Sequence, residues 1–203
     1  MVKKGRDGRK MLKPKMVVAT GNANKLREFS QLFTGYEVVS QKEMGFCEEV
    51  EETGETFSEN ALIKARAAAK ALSVPALADD SGLCVVALGG RPGVHSARYS
   101  GDHDDEANRK KLIEELDGVT DRRAYFQCAI ALVDPSGKEL VVEGRTFGKI
   151  LFEEKGEGGF GYDSLFESDD LQKSFGEATA EEKNSVSHRS RALEALLQKL
   201  KEQ

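Results

Sequence analysis

The chain has 203 residues, 39% of them hydrophobic and ten of them Phe, which suits one large domain or two small lobes sharing a core. Charged residues make up 32%, and no stretch has the apolar length of a membrane-crossing helix, so membrane partners are not expected. The formal net charge is −5, and because basic residues crowd the start, the remainder is more acidic still. Phosphate neutralisation dominates nucleic-acid binding, so nucleic acid is not an expected partner.

Residues 1–15 carry Lys3, Lys4, Arg6, Arg9, Lys10, Lys13 and Lys15 against the single acid Asp7. This head is too polar, and is followed by too short an apolar run, to be a secretory signal. It reads as a disordered basic extension, a cloning remnant or an upstream start, ahead of a domain spanning 16–203. Met16 to Thr20 (MVVAT) predicts a strand ending in a Gly21-Asn22 turn. Leu26, Phe29, Leu32 and Phe33 then recur at helical spacing, and Val38 and Val39 predict a second strand before an acidic loop over 43–55. Phe57, Ala61, Ala65, Ala68 and Leu72 form one apolar helical face. Ala76 to Ala78 predicts a short strand running into Asp79-Asp80-Ser81-Gly82. A glycine-rich loop over 89–101 and a polar helix over 105–116 follow. Ala124 to Val133 predicts a central strand, Asp134-Pro135-Ser136-Gly137 a type I turn, and Leu140 to Val142 an antiparallel return. Leu193, Leu196, Leu197 and Leu200 mark a last helix. The expected fold class is α/β, mixed α+β, around one curved mixed sheet. Cys47, Cys84 and Cys128 are far apart and read as small core hydrophobes in a reducing, cytoplasmic setting.

Six segments carry residues suited to chemistry. Thr20 to Lys25 (TGNANK) sits where a strand meets a helix start, a natural anion site, although Asn22 as a plain helix cap is the simpler reading. The run Glu48-Glu49-Val50-Glu51-Glu52-Thr53-Gly54-Glu55 is either a solvated loop or a source of oxygen ligands for a hard cation. Asn60 and Lys64 share a helix face, where the lysine either snorkels to solvent or reaches phosphate oxygens. Asp79 and Asp80 suit metal binding and general-base work, a turn being the alternative. Glycines around Phe160 and Tyr162 permit close backbone approach to a ligand, or a tight turn with buried aromatics. Ser187 predicts a helix cap with His188 and Arg189 in the first turn, where cations oppose the helix dipole unless an anion or hydrogen-bonding partner is near.

In that order, TGNANK, EETGETFSENALIKA, ADDSGLCVVALGGRPGVHSARYSG, GGFGYD and EEKNSVSHRSRAL closely resemble the inosine triphosphate pyrophosphatase family over roughly Met16 to Leu200. The resemblance implies an elongated two-lobed fold with the cleft between lobes, a homodimer, and Mg2+-dependent hydrolysis of ITP, dITP and XTP to the monophosphate and pyrophosphate. It assigns phosphate contacts to Thr20, Gly21, Asn22, Ala23, Asn24, Lys25 and Lys64, metal contacts to Glu51, Glu52 and Asp80, and the catalytic proton acceptor to Asp80. Ser81, Phe160, Gly161, Tyr162, Asp163, Lys183, His188 and Arg189 complete the implied nucleotide site. Ser164 stands where the family usually has Pro, a change expected to loosen the loop without removing a contacting group. A pyrophosphatase for pyrimidine or modified nucleotides, a non-catalytic nucleotide sensor and a phosphoacceptor domain remain as alternatives at this stage.

Overall fold

The computed structural model describes residues 13, 15–20, 23–101 and 103–202. β1 (Lys15–Val18) leads through α1 (Ala23–Leu32) to β2 (Glu37–Ser40), which lies parallel to β1. α2 (Phe57–Leu72) begins at a reciprocal cap between Thr56 and Glu59 and buries Phe57, Ala61, Ala65 and Ala68. β3 (Ala76–Val85), α3 (Asp105–Glu115), β4 (Arg123–Val133) and β5 (Glu139–Ile150) follow. β6 (Phe166–Ser168), β7 (Lys173–Ser174), α4 (Ala180–Val186) and α5 (His188–Lys201) complete the chain. The seven strands form one sheet in the order β2-β1-β3-β4-β5-β6-β7, parallel through the first three and antiparallel thereafter.

The segment Asp79-Asp80-Ser81-Gly82, expected at the end of a short strand, lies instead within β3. β4 pairs with β3 over its whole length, from Ala76 opposite Val133 to Val85 opposite Ala124. This ladder carries the strand through residues whose local preference is for a turn, a tertiary override of propensity. β1 reaches only Ala76 and Leu77. From Ala78 to Leu83 no other strand of the described residues pairs with that edge of β3; farther on, Cys84 bridges Pro92.

Three apolar layers surround the sheet. α2 packs its alanines on Ala76, Ala78, Ala129 and Ala131, small residues that let helix and sheet approach closely. On the opposite face, Phe29 of α1, Phe33 just after it, and Leu193 and Leu196 of α5 cover Leu77, Cys128 and Ile130. The far half is filled by Leu83, Val85, Leu112, Phe126, Phe166 and Phe175. Along β3 the apolar contacts stop at Ala78 and resume at Leu83, so Asp79 to Gly82 form a polar seam between the two halves of the molecule. Cys84 and Cys128 are core residues as expected, but Cys47 is exposed.

Candidate active site

Successive side chains of a strand point to opposite faces, so Asp79 and Asp80 meet different surroundings. Asp79 is turned to the α1 and α5 side. Its Oδ2 lies 3.0 Å from Lys25 Nζ, 3.4 Å from Arg189 Nε and 3.9 Å from Cys128 Sγ. Burial alone would raise its pKa, but Lys25 and Arg189, with Lys64 behind them, hold the carboxyl well below the usual range. Ser187 caps α5 by accepting from Ser190 N, which fixes Arg189 in the first helical turn. Asp79 is therefore the anion that the unfavourable placement of Arg189 requires. Arg189 Nη2 also donates to Ser81 Oγ at 3.3 Å.

Asp80 faces α2. Its Oδ2 accepts from Asn60 Nδ2 at 3.1 Å, and its Oδ1 accepts from Ser81 N at 2.9 Å and lies 3.8 Å from Lys64 Nζ. Lys64 also pairs with Glu52 at 2.6 Å, and Asn60 Oδ1 accepts from Gly54 N at 2.7 Å. A Cβ at Gly54 would fall 2.6 Å from Glu59 Cβ, so only glycine lets the acidic loop lie this close to α2. Burial pushes the Asp80 carboxyl above its ordinary value; Lys64 and Lys25 only partly offset it, and Glu52 adds to the rise. The paired aspartates thus differ in kind. Asp79 is a fixed anion, whereas Asp80 is a carboxylate with raised proton affinity.

Of the expected metal ligands, Glu52 and Asp80 are brought together around Lys64, while Glu51 is exposed. Among the described residues no three His, Cys, Asp or Glu side chains are gathered as a metal site. Two carboxylates are nevertheless the hard oxygen donors that suit Mg2+ on a triphosphate.

A second group lies beyond the seam. Lys183 Nζ pairs with Asp163 Oδ2 at 2.6 Å, with both side chains buried, and stands 4.5 Å from the centre of the Phe160 ring. Asp163 also accepts from Phe160 N at 2.8 Å. Tyr162, expected to touch the nucleotide, is a core residue whose hydroxyl donates to Ser96 O at 2.9 Å. His188 is buried and stacks on Phe126 with centroids 5.0 Å apart. Its Nδ1 has no hydrogen-bond partner among the described residues. Burial, then Arg189 and Lys183, hold its pKa well below the ordinary histidine value, so the ring is neutral at pH 7. Lys183 and Arg189 both lie within electrostatic reach of this ring, as do Asp79 and Lys25, so the two groups are neighbours.

Thr20 follows the end of β1, and Ala23, Asn24 and Lys25 open α1; Gly21 and Asn22 lie outside the described residues. Ser164 is tied rather than loosened, its Oγ donating to Glu154 Oε2 at 2.7 Å. Sequence reasoning missed Asp105 and Arg109, which reach Gly161 from α3, and Glu154, which holds Arg109 and Ser164. α3 had shown only polar composition, which carries no sign of such long-range contacts.

Lysines from three helices, Lys25 of α1, Lys64 of α2 and Lys183 of α4, gather around buried carboxylates beyond the end of β1, and this defines an α/β protein suited to holding an anionic ligand. The chain belongs to the Ham1 family, whose model matches residues 16–199. It is 49% identical to the dITP/XTP pyrophosphatase of Bacillus subtilis (strain 168), over 89% of this chain and 93% of that protein. Identity to the dITP/XTP pyrophosphatase of Lactiplantibacillus plantarum is 48%, over 95% and 98% of the two chains. The solved structure of the Staphylococcus aureus Ham1 protein superposes with a TM-score of 0.86 at 43% identity, covering 92% of this chain and 98% of that one.

Proposed function

We propose that the protein hydrolyses the deaminated purine nucleoside triphosphates ITP, dITP and XTP to the monophosphate and pyrophosphate, clearing them from the nucleotide pool. The observation that carries this reading is Asp80, a buried carboxylate of raised proton affinity beside Lys64, on the edge of β3 that β1 leaves open. The names of the Bacillus subtilis and Lactiplantibacillus plantarum relatives support the substrate class. On the sequence resemblance we also propose a cytoplasmic homodimer.

In this reading Lys25 and Lys64, with the start of α1, bind the triphosphate and offset the charge that develops on the leaving pyrophosphate. Lys64 stands between Glu52 and Asp80, and on binding exchanges a carboxylate for a phosphate oxygen. Asp80 orients a water molecule for in-line attack on the α-phosphorus and accepts its proton. Glu52 and Asp80, with Glu51 adjacent in the chain, would hold Mg2+, which supplies Lewis-acid charge to the phosphate oxygens.

Phe160, Asp163, Lys183, His188 and Arg189 surround the base, with Ser81 beside them. Arg189 only donates hydrogen bonds, and neutral His188 offers one donor and one acceptor. The C6 keto oxygen of hypoxanthine or xanthine accepts from them, whereas the adenine amino group sets donor against donor at about 1–3 kcal/mol per mispairing. Phosphorus NMR of ITP turnover tests the reaction: inosine monophosphate and pyrophosphate are expected, and release of inorganic phosphate would refute it. Chelation of divalent metal by EDTA is expected to stop turnover and added Mg2+ to restore it; unchanged turnover in EDTA would remove the metal from the scheme.

A further inference from the structure

α3 lies outside every motif that pointed to a nucleotide, yet two of its side chains grip the segment that faces the base. Asp105 Oδ2 accepts from Gly161 N at 2.9 Å, and Arg109 Nη1, one helical turn on, donates to Gly161 O at 2.9 Å. Gly161 is thereby held at both its backbone donor and its backbone acceptor. Its φ of +61° lies in the left-handed region that favours glycine, where the residue's own preferences do little to fix the chain. Phe160 and Asp163, which meet Lys183, flank it. The grip closes on itself. Arg109 Nε pairs with Glu154 Oε2 at 3.0 Å, and the same oxygen accepts from Ser164 Oγ at 2.7 Å. Proline at 164 would supply no such donor.

We propose that Asp105, Arg109 and Ser164 are positioning residues for base recognition: through Gly161 and Glu154 they hold the Phe160–Asp163 segment in its base-binding shape. This rests on the reading of Phe160, Asp163 and Lys183 as base contacts. None of the three positioning residues touches Asp80, Lys64 or Lys25 in the contacts described above. Loosening them lowers the fraction of protein with a competent base site and leaves the hydrolytic step intact, so KM moves and kcat does not.

The test is steady-state pyrophosphate release from ITP by Arg109→Met and Ser164→Ala, with Arg109→Lys and Asp163→Asn as companions. Arg109→Met should raise KM by about threefold to tenfold and Ser164→Ala by about twofold to fivefold, the range expected for one or two lost hydrogen bonds. Arg109→Lys should recover part of the KM loss, and kcat should stay within about twofold in the Arg109 and Ser164 variants. Wild-type KM in both variants, or a fall in kcat at unchanged KM, would overturn the proposal. Ser164→Ala removes one hydroxyl only, so it decides the matter if Arg109→Met does not fold. Asp163→Asn separates the two levels. If it raises KM while the other variants do not, the positioning role alone fails; if it too leaves KM unchanged, the base-contact reading fails and takes the positioning role with it.

Discussion

Asp79 and Asp80 are neighbours whose carboxyl groups answer to opposite faces of the sheet and are shifted in opposite directions. The folded pKa of Asp79 is depressed. Its contribution to stability is therefore complete above the unfolded carboxylate value of about 3.9 and is lost as pH falls below it. Asp79→Asn leaves Lys25 and Arg189 without their buried anion and should cost about 3–5 kcal/mol, the usual result of removing one partner from a buried pair. Thermal melts at pH 7 and under acid should show a lower Tm for this variant and a flatter acid dependence than wild type. The folded pKa of Asp80 is raised, so its ionised form costs stability at neutral pH. Asp80→Asn should then keep or raise Tm while lowering kcat by at least ~10²-fold. Melting and turnover of the two variants side by side check the division of labour; an equal loss of Tm in both would contradict it. The sequence marked both carboxylates as suited to chemistry, and the family resemblance gave the proton-acceptor role to Asp80, but neither showed their surroundings. Which face each takes depends on the register of β3 against β4, a contact between residues far apart in the chain.

At the scale of elements, α5 is carried on β5 through Gly144. A Cβ there would collide with the backbone of His188 and Ala192, so glycine sets how closely the helix start approaches the sheet. Gly144→Ala should cost about 1–3 kcal/mol as an overpacking substitution. It should also lower kcat/KM for ITP, because His188 and Arg189 occupy the displaced turn. Melting and turnover of this one variant check both, and a normal kcat/KM with a lowered Tm would detach α5 from base binding. The elements most readable in the sequence were those with strong local signals, the alanine stripe of α2 and the Ser187 cap of α5. The strand state of Asp79 to Gly82 was not readable, because local preference there favours a turn and the long ladder with β4 overrides it. The surroundings of the Tyr162 side chain were likewise not readable. Its place in a glycine-rich run suggested a ligand contact, but its hydroxyl finds Ser96 O in the core.

At the scale of the molecule, the family match begins at residue 16, and the described contact of Lys13 with the body is one exposed hydrogen bond to Thr34 O at 2.7 Å. Such a bond contributes about 1 kcal/mol at most. Removing residues 1–13, a segment without apolar periodicity, should leave Tm and ITP turnover essentially unchanged; a marked fall in either would make it part of the working domain. The remainder is a single sheet with an apolar half on each side of a polar seam, and the seam brings together residues from α1, α2, β3, α4 and α5. Their order along the chain was enough to suggest the family. Their electrostatics, a fixed Asp79, a basic Asp80 and a neutral His188, emerged only from the packing. The most direct measurement of the proposed function is kcat/KM for pyrophosphate release by the wild-type protein from ITP and from ATP, in Mg2+ at neutral pH. The expected result is an ITP efficiency at least ~10²-fold above that of ATP, within the reach of a site built on hydrogen-bond complementarity. Equal efficiencies, or no pyrophosphate from ITP, would contradict it.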